Sequence, residues 1–131
     1  MKLEHCGPTA TLPDGTRNPL SHIVRAGDTI YFSGLMPKSE DGKIFIGNIT
    51  DQTHSVMRRL QSMLEQVDCD FSDLVKVNVW LTDAADFKAF NAAYATYFSN
   101  EYPARSAVRS DLLLPGARVE LEAIAFRPSV K

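Results

Sequence analysis

Arg105 and Glu120 are the residues of this 131-residue chain whose types and placement most readily suggest chemistry. Arg105 stands in "YPARSAVR", after a Pro-Ala turn and at the start of a Ser-Ala-Val run that offers little polar company. On a surface strand an arginine costs little. At the mouth of a pocket it would hold an anion, because its planar fork meets a carboxylate with two parallel hydrogen bonds. Glu120 stands in "VELE", on the next strand-like run. If the two C-terminal strands are adjacent and antiparallel, the two side chains can approach each other. Two readings then remain open: a structural ion pair, or a carboxylate clamp beside an acid that orients water.

Other chemistries find less support. The three histidines, His5, His22 and His54, show no HxH or HExxH spacing, and the side chains of neighbouring His5 and Cys6 diverge in an extended arm, so no metal site is expected. Ser33 in "YFSGL" is not a GxSxG elbow. Neither a GxGxxG turn nor a phosphate-binding P-loop occurs. "YFSGLMP" has aromatics without the lysines and arginines of an RNA-binding sheet.

The elements that must position Arg105 and Glu120 follow from hydrophobic period. Residues 7–20, with three prolines and two glycines, read as an arm or loop. "HIVRAGDTIYFSG" reads as a β-hairpin around Ala26-Gly27-Asp28, and "IFI" at 44–46 as a short strand at best. Val56, Leu60, Met63, Leu64 and Val67 recur at helical spacing after a cap at Thr50 or Asp51. In "LVKVNVWL", Val75, Val77, Val79 and Leu81 share one face and Lys76, Asn78 and Trp80 the other. A second helix, capped by Thr82 or Asp83, carries Phe87, Phe90, Tyr94 and Tyr97/Phe98 as its stripe, and two strands close the chain, Arg105 to about Leu112 and Val119 to Phe126. The order β-β-(β)-α-β-α-β-β predicts an α+β sheet with both helices on one face. Trp80, Ile124 and Phe126 would then lie on a face without a helix, which implies a homo-oligomer unless they are scattered surface residues.

The length fits a single domain over residues 1–131, and it is long enough to fold without disulfides or metal. A net charge of −2 gives no general attraction to nucleic acid or to an acidic membrane. No apolar run approaches the ~18 residues of a membrane span, and "MKLEHCGPTATLPDG" lacks the apolar core of a signal peptide. Cys6 and Cys69 are expected as free thiols in a reducing, cytoplasmic setting.

The segments "AGDTIYFSG", "GNITDQT", "DLVKVNVWLTDAADFKAFNAAYATYF", "YPARSAV" and "VELEAIA" resemble the RidA/YjgF family of reactive-intermediate deaminases, over roughly residues 19–127. The resemblance implies a chorismate-mutase-like α+β fold, a six-stranded sheet with two helices on one face, in a homotrimer with ligand clefts between subunits. It implies hydrolysis of an enamine or imine such as 2-aminoacrylate to a 2-keto acid and ammonia, without cofactor. By the same resemblance Arg105 grips the substrate carboxylate, Glu120 positions the attacking water, Asn91 is a cleft asparagine, Ser33 and Gly34 edge the pocket, and Ala107 offers its backbone. In two places the chain departs from the family pattern. Leu20 in "NPLS" stands where a tyrosine is common, and Ala107 where a cysteine often is. The first makes that wall more apolar, which favours larger or more apolar substrates. The alternatives to an imine deaminase are a pathway-specific enamine deaminase of the 2-aminomuconate type and a protein that binds a small carboxylate without turning it over. A ribonuclease reading fits least with an acidic chain.

Overall fold

A computed structural model describes residues 2–128. Six strands form a mixed sheet: β1 (Leu3–Cys6), β2 (Ile23–Ala26), β3 (Thr29–Leu35), β4 (Leu74–Leu81), β5 (Ala104–Arg109) and β6 (Val119–Phe126), in the spatial order β1-β2-β3-β6-β4-β5. The helices are α1 (Ile49–Glu65) and α2 (Phe87–Ala95). Both cover one face, as their order in the sequence requires.

The β2–β3 hairpin turns at Gly27, whose φ of 65° is readily open to glycine. Val56, Met57, Leu60 and Leu64 of α1 face Ile30, Phe32, Val77, Val79, Leu121 and Ala123 of the sheet in one continuous core. Along β6 the odd positions Val119 to Ala125 are buried beneath the helices, while Glu120, Glu122, Ile124 and Phe126 alternate onto the other face.

Several expectations are corrected. The sixth strand is β1, not residues 44–46, where Ile44 makes only an isolated bridge to Lys38. The bridge at Ile44 extends no further, whereas Leu3–Cys6 pairs along the whole of β2. Helix α1 is capped by Asn48, whose side chain accepts from the Asp51 amide at 2.8 Å, rather than by Thr50 or Asp51. Asp83 caps the short turn Ala84–Asp86 that leads into α2, which ends at Ala95, before Tyr97 and Phe98. A register shift between Leu74 and Lys76 puts Leu74 in the core and leaves Val75 46% exposed.

The largest correction concerns the C-terminal strands. β5 and β6 are not neighbours: β4 lies between them, antiparallel to β6 and parallel to β5. The condition of adjacent antiparallel strands is not met, because the nine residues from Ser110 to Arg118 carry the chain past β4.

The helix-free face carries Tyr31 opposite Ile124, and Trp80 between Glu120 and Val108. Tyr31, Val108 and Phe126 are about half exposed there, at 47%, 52% and 50%. No described helix is long and apolar enough to cross a membrane. Cys6 and Cys69 are both free.

Candidate functional site

Register decides where each candidate side chain points. Arg105 lies opposite Val77, which is buried under the helices, so Arg105 is on the helix side of the edge strand β5. Glu120 lies opposite Trp80, on the helix-free side. The two strands are separated by β4, about 10 Å across, and the residues are offset by three positions, about another 10 Å. The ion pair that adjacent strands would have allowed is therefore absent. One chain holds two candidate half-sites on opposite faces of its sheet.

The first half-site is built by α2 and β5. Phe87, Phe90, Asn91 and Tyr94 fall at i, i+3, i+4 and i+7 and form one stripe of the helix. Arg105 reaches into that stripe. One of its guanidinium nitrogens donates to Asn91 Oδ1 at 2.8 Å, and the group lies 5.6, 5.8 and 5.0 Å from the ring centres of Phe87, Phe90 and Tyr94. It makes no ion pair among the described residues. Arg118 shows the contrast: its Nε and Nη2 fork onto the buried Asp86 carboxylate at 3.1 and 2.7 Å.

Beside Arg105 opens a depression of about 470 Å³, lined by Asn91, Tyr94, Ala95, Tyr102, Pro103 and Arg105. The Tyr94 hydroxyl is buried with no hydrogen-bond partner among the described residues. Burial pushes its pKa up to about 12 against the opposing pull of Arg105, so it stays a neutral donor. Ala107 follows on the same side of β5 as Arg105 but belongs to a neighbouring depression with Leu81, Phe87 and Arg109.

The second half-site is built by β3, β4 and β6. A bulge between Phe32 and Leu35 places Ser33 and Gly34 beside β6. The Glu120 carboxylate sits so close over Gly34 that a Cβ there would collide with it. Burial, and secondarily the Glu122 charge, raise the Glu120 pKa above the ordinary carboxylate value. Asn78 Nδ2 donates to Glu122 Oε1 at 3.1 Å in the next row. Ser33 Oγ donates to the Ser21 carbonyl at 2.5 Å, which ties the end of the 7–20 arm, with Leu20, to this side of the sheet.

The fold thus groups the six residues singled out from sequence as Arg105 with Asn91, Ser33 and Gly34 with Glu120, and Ala107 next to the first group. The aromatic collar and Tyr102 are not among the residues that the sequence singles out for the site. The collar's signal was available, since Asn91 lies inside the Phe87–Phe90–Tyr94 stripe and so shares its face.

Residues 12–127 match the family described as endoribonuclease L-PSP. The chain is 38% identical over 117 residues to the 2-iminobutanoate/2-iminopropanoate deaminase of Mus musculus, covering 86% of this chain and 85% of that protein. It is 36% identical over 110 residues to a RutC family protein of Pyrococcus horikoshii, covering 83% and 87%. Among solved structures, RidA from an Antarctic Psychrobacter superimposes with a TM-score of 0.78 at 33% identity, over 83% of this chain and 89% of that one.

Proposed function

The chain belongs to the RidA/YjgF family, and from that premise we propose that it hydrolyses 2-imino acids, or the enamines that tautomerise to them, to 2-keto acids and ammonia. The observation that carries this reading is the Arg105 guanidinium, half-buried, ringed by aromatic side chains, and met by a neutral amide oxygen instead of a carboxylate. A cation in such a place is poorly compensated until an anion arrives. A 2-imino acid brings the carboxylate that the fork fits. Asn91 fixes the fork, and the depression beside it takes the substrate's side chain.

Glu120 supplies the other component. Water held by its carboxylate attacks the electrophilic iminium carbon while Glu120 takes a proton. The C–O bond forms as the C=N π pair moves to nitrogen. Glu120 returns the proton to that nitrogen, and the C–N bond breaks as a lone pair of the hydroxyl oxygen closes the C=O bond; ammonia leaves, and the hydroxyl proton, taken up by Glu120, passes to it to give ammonium. Iminium plus water gives ketone plus ammonium, with no oxidant, reductant or cofactor required. A carboxylate with a raised pKa is a better base for this step than an ordinary one. The same burial and like-charge repulsion that disfavour its ionised form make it so.

Because Arg105 and Glu120 lie on opposite faces, one ligand touches both only if two chains share it. We place the reaction in clefts between the subunits of a homotrimer, with Arg105 from one chain and Glu120, Ser33 and Gly34 from its neighbour. The helix-free face with Tyr31, Trp80, Val108 and Ile124 supports this, since such a face is normally covered by another subunit.

The test is a panel of 2-imino acids made in situ by an amino-acid oxidase, with keto acid and ammonia both followed. Accelerated release of both, lost in Arg105→Ala, supports the reading. Saturable binding of a small carboxylate with no acceleration for any imino acid would make the protein a binder and reject it as an enzyme.

A further inference from the structure

A second cationic depression, which shares no lining residue with either half-site, lies between α1 and the loop that follows β3. The loop is a closed structure: Ser39 and Lys43 are joined at 2.8 Å, Gly42 donates to the Ser39 carbonyl at 2.9 Å, and Phe45 donates to the Pro37 carbonyl at 3.0 Å. Helix α1 holds it at both ends. Gln52 Nε2 donates to the Phe45 carbonyl at 2.9 Å, and Arg59 donates to the Met36 carbonyl at 2.5 Å. Between loop and helix lies a depression of about 440 Å³.

Its walls carry three cations, Lys38, Arg58 and Arg59, and three hydroxyls, Ser39, Ser55 and Ser62. Ser55, Arg58, Arg59 and Ser62 stand at i, i+3, i+4 and i+7, one stripe of the helix. Glu40 is the single carboxylate among the lining residues, so the site keeps two uncompensated positive charges on a chain whose net charge is −2. None of the three cations forms an ion pair among the described residues.

Arg59 is not a freely solvated surface arginine. It is half-buried, and burial pulls its pKa below the usual guanidinium value. One N–H is engaged by the Met36 carbonyl, which fixes the fork and leaves other donors for a ligand. The positive field also reaches inward. Burial, then Arg59 and Lys38, hold the His22 pKa below the ordinary imidazole value, and its buried Nδ1 has no hydrogen-bond partner among the described residues.

We propose that this depression is a second ligand site, independent of Arg105, for a small tetrahedral dianion: free phosphate or the phosphate group of a monoester. Two net charges match a dianion. The fixed guanidinium fork and the surrounding hydroxyls suit several terminal oxygens better than the two of a carboxylate. Phe45, half-buried in the wall, offers an apolar surface for the organic part of a monoester.

The test is titration of the isotope-labelled full chain with inorganic phosphate and with phenyl phosphate, read by amide shifts and calorimetry, beside a chloride control at matched ionic strength. Saturable shifts confined to residues 36–45 and 55–62 are expected. Arg59→Gln should weaken binding about tenfold, the scale of one charge-assisted hydrogen bond. Lys38→Gln, on an exposed residue and so safe for folding, should weaken it less, and Arg105→Ala should leave it unchanged. Equal affinity for the two ligands assigns free phosphate, whereas tighter phenyl phosphate assigns a monoester. The proposal is overturned by shifts that do not saturate, by an equal response to chloride, or by wild-type phosphate affinity in both Arg59→Gln and Lys38→Gln. It is also overturned if a single-stranded oligoribonucleotide binds more tightly than either small ligand and is released steeply by salt.

Discussion

The two faces of the sheet solve opposite problems with charged groups. On the helix side, Arg105 is a cation among Phe87, Phe90 and Tyr94, steadied by one amide oxygen. On the other side, Glu120 and Glu122 are neighbouring carboxylates on a surface that is otherwise apolar at Tyr31, Trp80 and Ile124. Neither Arg105 nor Glu120 makes an ion pair among the described residues, and each would suit the other, yet β4 and the thickness of the sheet separate them. A chain that needed only stability would have paired them, as it pairs Arg118 with Asp86. The separation makes sense if what the halves share is a ligand, held where one chain meets the next.

The largest expected effect is on the cationic half. Arg105→Ala should fold and assemble but lose about 2–5 kcal/mol of transition-state binding, a drop of about thirtyfold or more in kcat/KM measured by keto-acid release. Lysine should rescue poorly, because an ammonium cannot make the two parallel bonds. Near-full activity in Arg105→Ala on every accepted imino acid would make the two faces equivalent and remove the clamp.

The helix-free face should break differently. Ile124→Asp puts a carboxylate opposite Tyr31, where a subunit interface would leave it unpaired at a cost of several kcal/mol. Light scattering should then show a species near 14.5 kDa in place of one near three times that mass. A wild-type chain that is monomeric across micromolar dilution would contradict the shared cleft.

The acidic half should show itself in pH dependence. Because the folded-state pKa of Glu120 is raised, its contribution to stability is fully present below the ordinary value of 4.5 and is lost as pH rises through the raised pKa. The melting temperature of Glu120→Gln should match wild type in acid and exceed it above that window. Activity should run the other way, rising as Glu120 ionises, and Glu122→Gln should move that limb to lower pH by removing the like charge. A limb unmoved by Glu122→Gln would detach the profile from Glu120. Gly34→Ala, which forces the carboxylate aside, should lower kcat more than it raises KM.

The smallest effect is expected at Leu20. It lines a shallow depression with Arg17, Pro19 and Ser21, away from Arg105, but Ser21 is tied to Ser33 on the Glu120 side. Leu20→Tyr should shift preference from long apolar imino acids toward small ones by roughly tenfold, the range of about 1–3 kcal/mol per methylene in an apolar pocket. An unchanged ratio of specificity constants would mean that the arm does not reach the cleft.

Much of this was legible in the sequence. Alternation in "LVKVNVWL" and the spacing of Val56, Leu60 and Leu64 gave the strand, the helix and the bare face, because period follows directly from backbone geometry. What alternation cannot reveal is which strands are neighbours. Whether Arg105 and Glu120 are adjacent stays conditional in the sequence, because the parallel pairing of β5 with β4 is a long-range choice that no local pattern records. The bulge at Val75 was hidden for the same reason: its valine fits the alternation, and only the register against β6 exposes it. That the Tyr94 hydroxyl has no partner among the described residues is invisible in sequence, because an unsatisfied tyrosine and a satisfied one look alike there.

The most direct measurement is complementation between chains. Arg105→Ala and Glu120→Gln, each with its own tag, would be co-expressed, the mixed assemblies isolated by sequential affinity steps, and deamination compared with each variant alone. If one chain lends Arg105 and the next lends Glu120, each mixed trimer keeps one of its three clefts, about a third, with both groups intact. Activity should return to roughly that fraction of wild type, from two parents that are each inactive. Mixed assemblies as inactive as their parents would show that both groups must come from the same chain, and the two-face account would fall.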